Sequence, residues 1–211
     1  MTVGFSLFGT AYPFRDLFAA RAGRLVAASR LLERSLEESG SALAAANEIS
    51  ALGKEEAAAS AGLLRELALV AIRPIERGDV QALDHAFGEA AAAVAAVAVR
   101  LSLFRPAHLE GPAQEVAARV TAIAAEVREA VARLGREGPD EASWRRVVKA
   151  RTDAAGLVAV GLGGLYEEAG EGRMALLEVL AWSQLYDRLE AAVHRTARLA
   201  DVLHGVLLKQ D

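Results

Sequence analysis

The sequence predicts an all-α protein of six long helices in two groups of three, and three observations carry that expectation. Apolar residues recur at helical spacing, most clearly in Val179, Trp182, Tyr186, Leu189, Val193, Thr196, Ala200, Leu203 and Leu207, where steps of three and four alternate. All five prolines (Pro13, Pro74, Pro106, Pro112 and Pro139) fall at the edges of such patterns, where a missing N–H and a fixed φ are tolerated. Strand-like runs bounded by turn residues are absent.

The first helix is expected from about Phe14 to Ser39, stopped by Gly40, and the second from Ser41 or Ala42 to Ile72, with Ser41 as N-cap. The third runs from about Arg77 to Phe104, with Asp79 near its start to suit the helix dipole. The Arg105–Gly111 stretch divides the chain into a first half, 13–104, and a second half, 112–209. The fourth helix runs from about Pro112 to Leu134, ended by Gly135 and Gly138; the fifth from Asp140 or Glu141 to Glu168; the sixth from Glu171, after Gly170, to Lys209. Gly156, Gly161, Gly163 and Gly164 fall inside the fifth helix, each at a cost of about 1 kcal/mol against alanine. Either neighbouring backbones come close there or the helix is broken, and close packing is the favoured reading.

The chain has 211 residues and no cysteine, which leaves room for a substantial core and excludes disulfides, thiolate metal sites and cysteine nucleophiles. Met1 to Thr10 has no basic residue and does not read as a secretory signal. The apolar runs Ala90–Val99 and Ala154–Tyr166 are shorter than the roughly 20 residues a bilayer span needs, so no membrane insertion is expected. The net charge of −4, with no basic stripe interleaved by aromatics, argues against nucleic-acid binding. No Ser–His–Asp arrangement, phosphate-binding glycine loop or His-Glu-x-x-His motif is present, so the expectation is a cytoplasmic protein that is not an enzyme.

Two segments carry a family likeness. One is Arg73-Pro74-Ile75-Glu76-Arg77-Gly78-Asp79-Val80-Gln81-Ala82-Leu83, at the junction of the second and third helices. The other is Trp182 to Arg195, with Tyr186, Leu189, Glu190 and His194 in the register Tyr-x-x-Leu-Glu-x-x-x-His, continuing to Ala200-Asp201-Val202 and Leu207-Leu208-Lys209. With Phe5, Leu7 and Phe8 before an alanine-rich first helix, the chain resembles the PhoU-like proteins of the phosphate-permease (Pit) accessory group. The resemblance implies two three-helix bundles side by side. It also implies an accessory or regulatory role in inorganic phosphate transport, through docking on the cytoplasmic face of a phosphate permease. A homodimer is the other partner considered. The protein would then sit in the cytoplasm, peripheral to the inner face of the membrane through its partner.

Members of that family carry Glu-x-x-x-Asp motifs whose carboxylates, gathered from adjacent helices, bind iron or other metals. Here Gly53 and Ala57 stand at the second-helix positions, Gly88, Glu89 and Ala92 at those of the third, and Lys149 and Asp153 at those of the fifth. In the sixth, Glu190 is kept, while His194 and Arg198 replace aspartates. The resemblance leaves Asp153, Glu190 and His194 as the metal candidates, for iron or zinc; imidazole and carboxylate four residues apart on a helix are acceptable ligands. The competing reading is a solvated helix face with no cofactor, in which Asp153 pairs with Lys149, Arg151 or Arg198 and a cation takes the place of the metal's charge. His85 with Glu89, and Asp201 with His204, read as surface pairs. Two alternatives remain beside the phosphate-transport role: a metal-binding helical protein built on Asp153, Glu190 and His194, and a helical scaffold unrelated to phosphate.

Overall fold

Six helices follow one another in a computed structural model that describes residues 13–38, 40–69, 75–104, 106 and 111–210. They are α1 (Pro13–Glu37), α2 (Ala42–Leu69), α3 (Arg77–Phe104), α4 (Gly111–Arg133), α5 (Glu141–Gly170) and α6 (Leu176–Leu208). No strand occurs among the described residues. The opening residues Phe5, Leu7 and Phe8, the Arg73-Pro74 pair and His108 lie outside the described residues.

Helix ends follow local backbone chemistry. Gly40 takes φ 92° and stops α1, a conformation that costs glycine no Cβ clash. Ser41 stands before α2, but its hydroxyl turns back to donate to the Glu38 carbonyl at 2.8 Å rather than capping forward. Asp140 does cap α5: its Oδ1 accepts from the Ala142 N–H at 2.9 Å. The sixth helix begins five residues later than the sequence indicates. Gly170 is still helical; Gly172, at φ 69°, makes the turn, while the Arg173 N–H closes back on the Glu168 carbonyl at 2.9 Å.

α1, α3, α6 and α4 form a four-helix centre in which α1 packs on α3 and α4, and α6 packs on α3 and α4. α2 flanks this centre against α1 and α3, and α5 flanks it against α4 and α6. α1–α3 and α4–α6 are thus two three-helix groups side by side, joined through α1 on α4 and α3 on α6. α3 and α6 run antiparallel: Lys209 pairs with Asp79 (2.7 Å), Arg195 with Glu89 (2.9 Å), and the Phe104 ring meets Trp182 edge-on at 5.4 Å.

The seam read in α6 is the core-facing stripe, with Trp182, Tyr186, Leu189 and Leu203 all buried. α3 is long and apolar enough to cross a membrane by length and composition alone. It packs against α1, α2 and α6 with Val80, Leu83, Phe87, Val94 and Leu101 buried, and 39% of its most apolar stretch is buried in all. α5 is unbroken through its glycines, and only one of them is tightly packed: a Cβ at Gly161 would overlap the Tyr186 ring, whereas Gly156, Gly163 and Gly164 have open space.

Candidate functional site

The three sequence-derived metal candidates do not converge. Asp153, on α5, is clasped by Lys149, whose ammonium donates to both carboxylate oxygens at 2.9 and 2.7 Å, and faces the Arg119 guanidinium of α4 at 3.8 Å. The Lys149 hydrogen bonds hold the Asp153 carboxyl below the ordinary aspartate range, against a smaller desolvation effect that would raise it. Glu190 and His194 stand one turn apart on the solvent side of α6, with 4.0 Å between Oε1 and Nε2. Among the described residues no group of three or more His, Asp or Glu side chains is placed to hold a metal ion.

Glu89 of α3 shows the same chemistry as Asp153. Arg195 donates to its Oε1 at 2.9 Å, Arg198 lies 3.7 Å from its Oε2, and His85 is 3.5 Å away. Both acidic residues are therefore paired with cations, Asp153 mainly within α5 and Glu89 across the α3–α6 contact. Two pairings read from the sequence fall elsewhere: Arg198 serves Glu89, and Arg151 reaches Asp201 at 3.4 Å. Asp201 does not pair with His204, because that face of α6 is turned onto α5. There Asp201 accepts from the Trp144 indole N–H at 3.2 Å, and His204 stacks on the Trp144 ring at 5.3 Å and faces Glu141 at 3.8 Å.

Trp144 and His204 border a shallow crevice that Glu126, Arg133, Asp140 and Ser143 also line. Burial pushes the Glu126 carboxyl up, but hydrogen bonds from Arg146 (2.5 and 2.9 Å) and Ser143 (2.6 Å) outweigh it and leave Glu126 below its ordinary value. Asp140 is held low chiefly by backbone N–H groups of Ser143 and Ala142. The Ser143 hydroxyl donates to Glu126, whose carboxylate Arg146 also clasps, and not to His204.

Sequence reasoning missed the most heavily engaged polar cluster, which lies in the first half. Arg21 is 1% exposed. Its Nε donates to Glu56 of α2 at 2.6 Å, and its Nη1 and Nη2 donate to the Asp84 carboxylate (2.6 Å) and carbonyl (3.0 Å) of α3. Ser60 donates to the other Asp84 oxygen at 3.0 Å, and Arg24 to the other Glu56 oxygen at 3.3 Å. Phe18 and Phe87 stack at 5.6 Å beside the Arg21 guanidinium, which lies 5.0 Å from the Phe87 centroid. Two guanidinium groups balance two carboxylates, so the cluster joins three helices without a net charge to offer a ligand. Its signal was available: Arg21 occupies an apolar-seam position in the series Phe14, Phe18, Arg21, Leu25, Ala28, Leu32.

No protein-family model and no curated protein sequence matches the chain. Solved structures do. A PhoU-like protein from Shewanella oneidensis MR-1 aligns with TM-score 0.80 at 14% identity, over 92% of this chain and 99% of that one. A second from the same organism, assigned as a PhoU-like phosphate regulatory protein, aligns with TM-score 0.73 at 15% identity over the same shares of the two chains. The fold is PhoU-like. The PhoU-like match runs through both halves, so the four-helix centre and both flanking helices belong to it.

Proposed function

We propose that this chain is an accessory or regulatory protein of inorganic phosphate transport that works by docking and carries out no catalysis. One structural neighbour is assigned as a phosphate regulatory protein, and the PhoU-like fold lends the reading its starting point. The observation that carries it is an uncovered apolar patch at one end of the molecule. Arg100 hydrogen-bonds Gln184, and one turn further on Phe104 meets Trp182, so the last turns of α3 run beside the first turns of α6. There Leu103 (73% exposed), Leu176 (73%) and Leu177 (78%) face outward, joined by Val99 and Leu180. Five exposed branched aliphatic side chains on the adjoining ends of α3 and α6 are what a protein contact would cover.

The partner in this reading is the cytoplasmic face of a phosphate permease, which would hold the protein at the inner side of the membrane; a second copy is the competing occupant. The test is co-purification with the phosphate permease of the same source, using the intact chain and a Leu103→Asp, Leu177→Asp variant. Capture by the intact chain and its loss in a folded variant supports the reading. Equal capture of both, or none by either, overturns it; a change in oligomeric state instead assigns the patch to self-association.

A further inference from the structure

α2 and α5 hold equivalent outer places in the two halves, yet they are secured in different ways. The inner face of α5 is an apolar series, with Val147, Ala150, Ala154, Val158 and Leu165 buried. On α2, the buried apolar side chains among those described are Ala45, Ala46, Ile49 and Leu63, and midway between Ile49 and Leu63 the buried position is Glu56. Beside Glu56 lies a shallow crevice bounded by Arg21, Arg24, Ala28, Leu52 and Gly53. A Cβ at Gly53 would meet no atom within 4 Å. The middle of α2 is therefore attached to α1 through the Glu56 carboxylate and to α3 through the Ser60 hydroxyl.

We propose that α2 is a strap latched by Glu56. It opens as a unit from α1 and α3, while the four-helix centre stays folded. Three physical arguments support this. A buried ion pair gains attraction at the cost of desolvation, so it fixes geometry while adding little net stability. Opening rehydrates Glu56 and Arg24, returning both charges to water. When α2 leaves, Asp84 gives up its bond from Ser60, but Arg21 keeps its two bonds to Asp84 and its place beside Phe18 and Phe87, because those partners lie on α1 and α3. The centre is thus not left with an uncompensated buried guanidinium.

The test is native-state hydrogen exchange on the full chain, read segment by segment. Amides of α2 are expected to exchange about tenfold or more faster than those of α5, and Glu56→Gln to speed α2 about tenfold further while α5 is unchanged. The α5 amides in the same sample report whether the variant is folded. A second measurement leaves the latch intact. The chain has no native cysteine, so Ala46→Cys, on the inner face of α2, and Ala154→Cys, on the inner face of α5, each give a single reporter thiol. The residue-46 thiol is expected to react with a maleimide about tenfold or more faster than the residue-154 thiol. Exchange of α2 and α5 in one cooperative step, equal thiol rates, or equal acceleration of both helices by Glu56→Gln would each overturn the proposal.

Discussion

The Tyr186 ring fills the space that a side chain at Gly161 would need, so α5 and α6 meet there without a Cβ between them. Tyr186 is fully buried and flanked by Trp182 at 6.1 Å between centroids, so the ring has little room to retreat. Gly161→Ala is expected to destabilise the fold by about 1–3 kcal/mol through overpacking. Gly156→Ala, Gly163→Ala and Gly164→Ala should each stabilise it by about 0.5–1 kcal/mol, because those positions are helical with open space around them. Urea denaturation of the four variants checks both signs; a Gly161→Ala protein as stable as the others would contradict the packing.

Removal of Arg21 should be far costlier than removal of any surface arginine. Arg21→Met leaves Asp84 without its guanidinium and Glu56 with only Arg24, at an expected cost of about 3–5 kcal/mol. Arg195→Ala, which breaks an exposed pair with Glu89, should cost about 0.2–1 kcal/mol. Chemical denaturation of both variants compares them directly.

Asp153 should titrate below an ordinary aspartate, and Lys149→Ala should move it upward, since the lysine hydrogen bonds are the leading cause of the depression. Because the folded value is the lower one, the contribution of this group is fully present above the unfolded aspartate value. It is lost as pH falls through the folded value. Carboxyl-carbon NMR titration of the two proteins reads the shift, and an unchanged midpoint in Lys149→Ala would remove Lys149 as its cause.

Metal analysis of the purified chain is expected to find no stoichiometric iron or zinc. Asp153 and Glu89 are already paired with lysine and arginine, and a cation entering either place would have to displace Lys149 or Arg195 against like charge. Stoichiometric metal that is lost on Glu190→Ala or His194→Ala would reinstate the carboxylate–histidine site.

Most of the fold was legible because proline, glycine and the apolar steps act locally. Gly40 and Asp140 set helix ends where the sequence places them. The start of α6 was misread because Gly170 and Gly172 both look like stops, and only the backbone conformation shows which one turns. The sites were less legible. Asp153, Glu190 and His194 share a register with known metal motifs, but register along two helices does not say which way each helix is rolled. Conversely, Glu56 and Asp84 lie 35 and 63 residues from Arg21, beyond the reach of any local pattern. What local pattern did offer, a charge on an apolar seam, marks a buried partner without naming it.

The four-helix centre has a consequence for the genetics of the chain. Each half lends two helices to it, α1 and α3 from one, α4 and α6 from the other, so neither half encloses a finished interior. Gene fragments encoding 13–104 and 112–209 would yield two sticky, poorly folding products that become soluble only when made together. Co-expression of the two fragments, read by their recovery as one soluble complex, checks this, and independent solubility of either would contradict it.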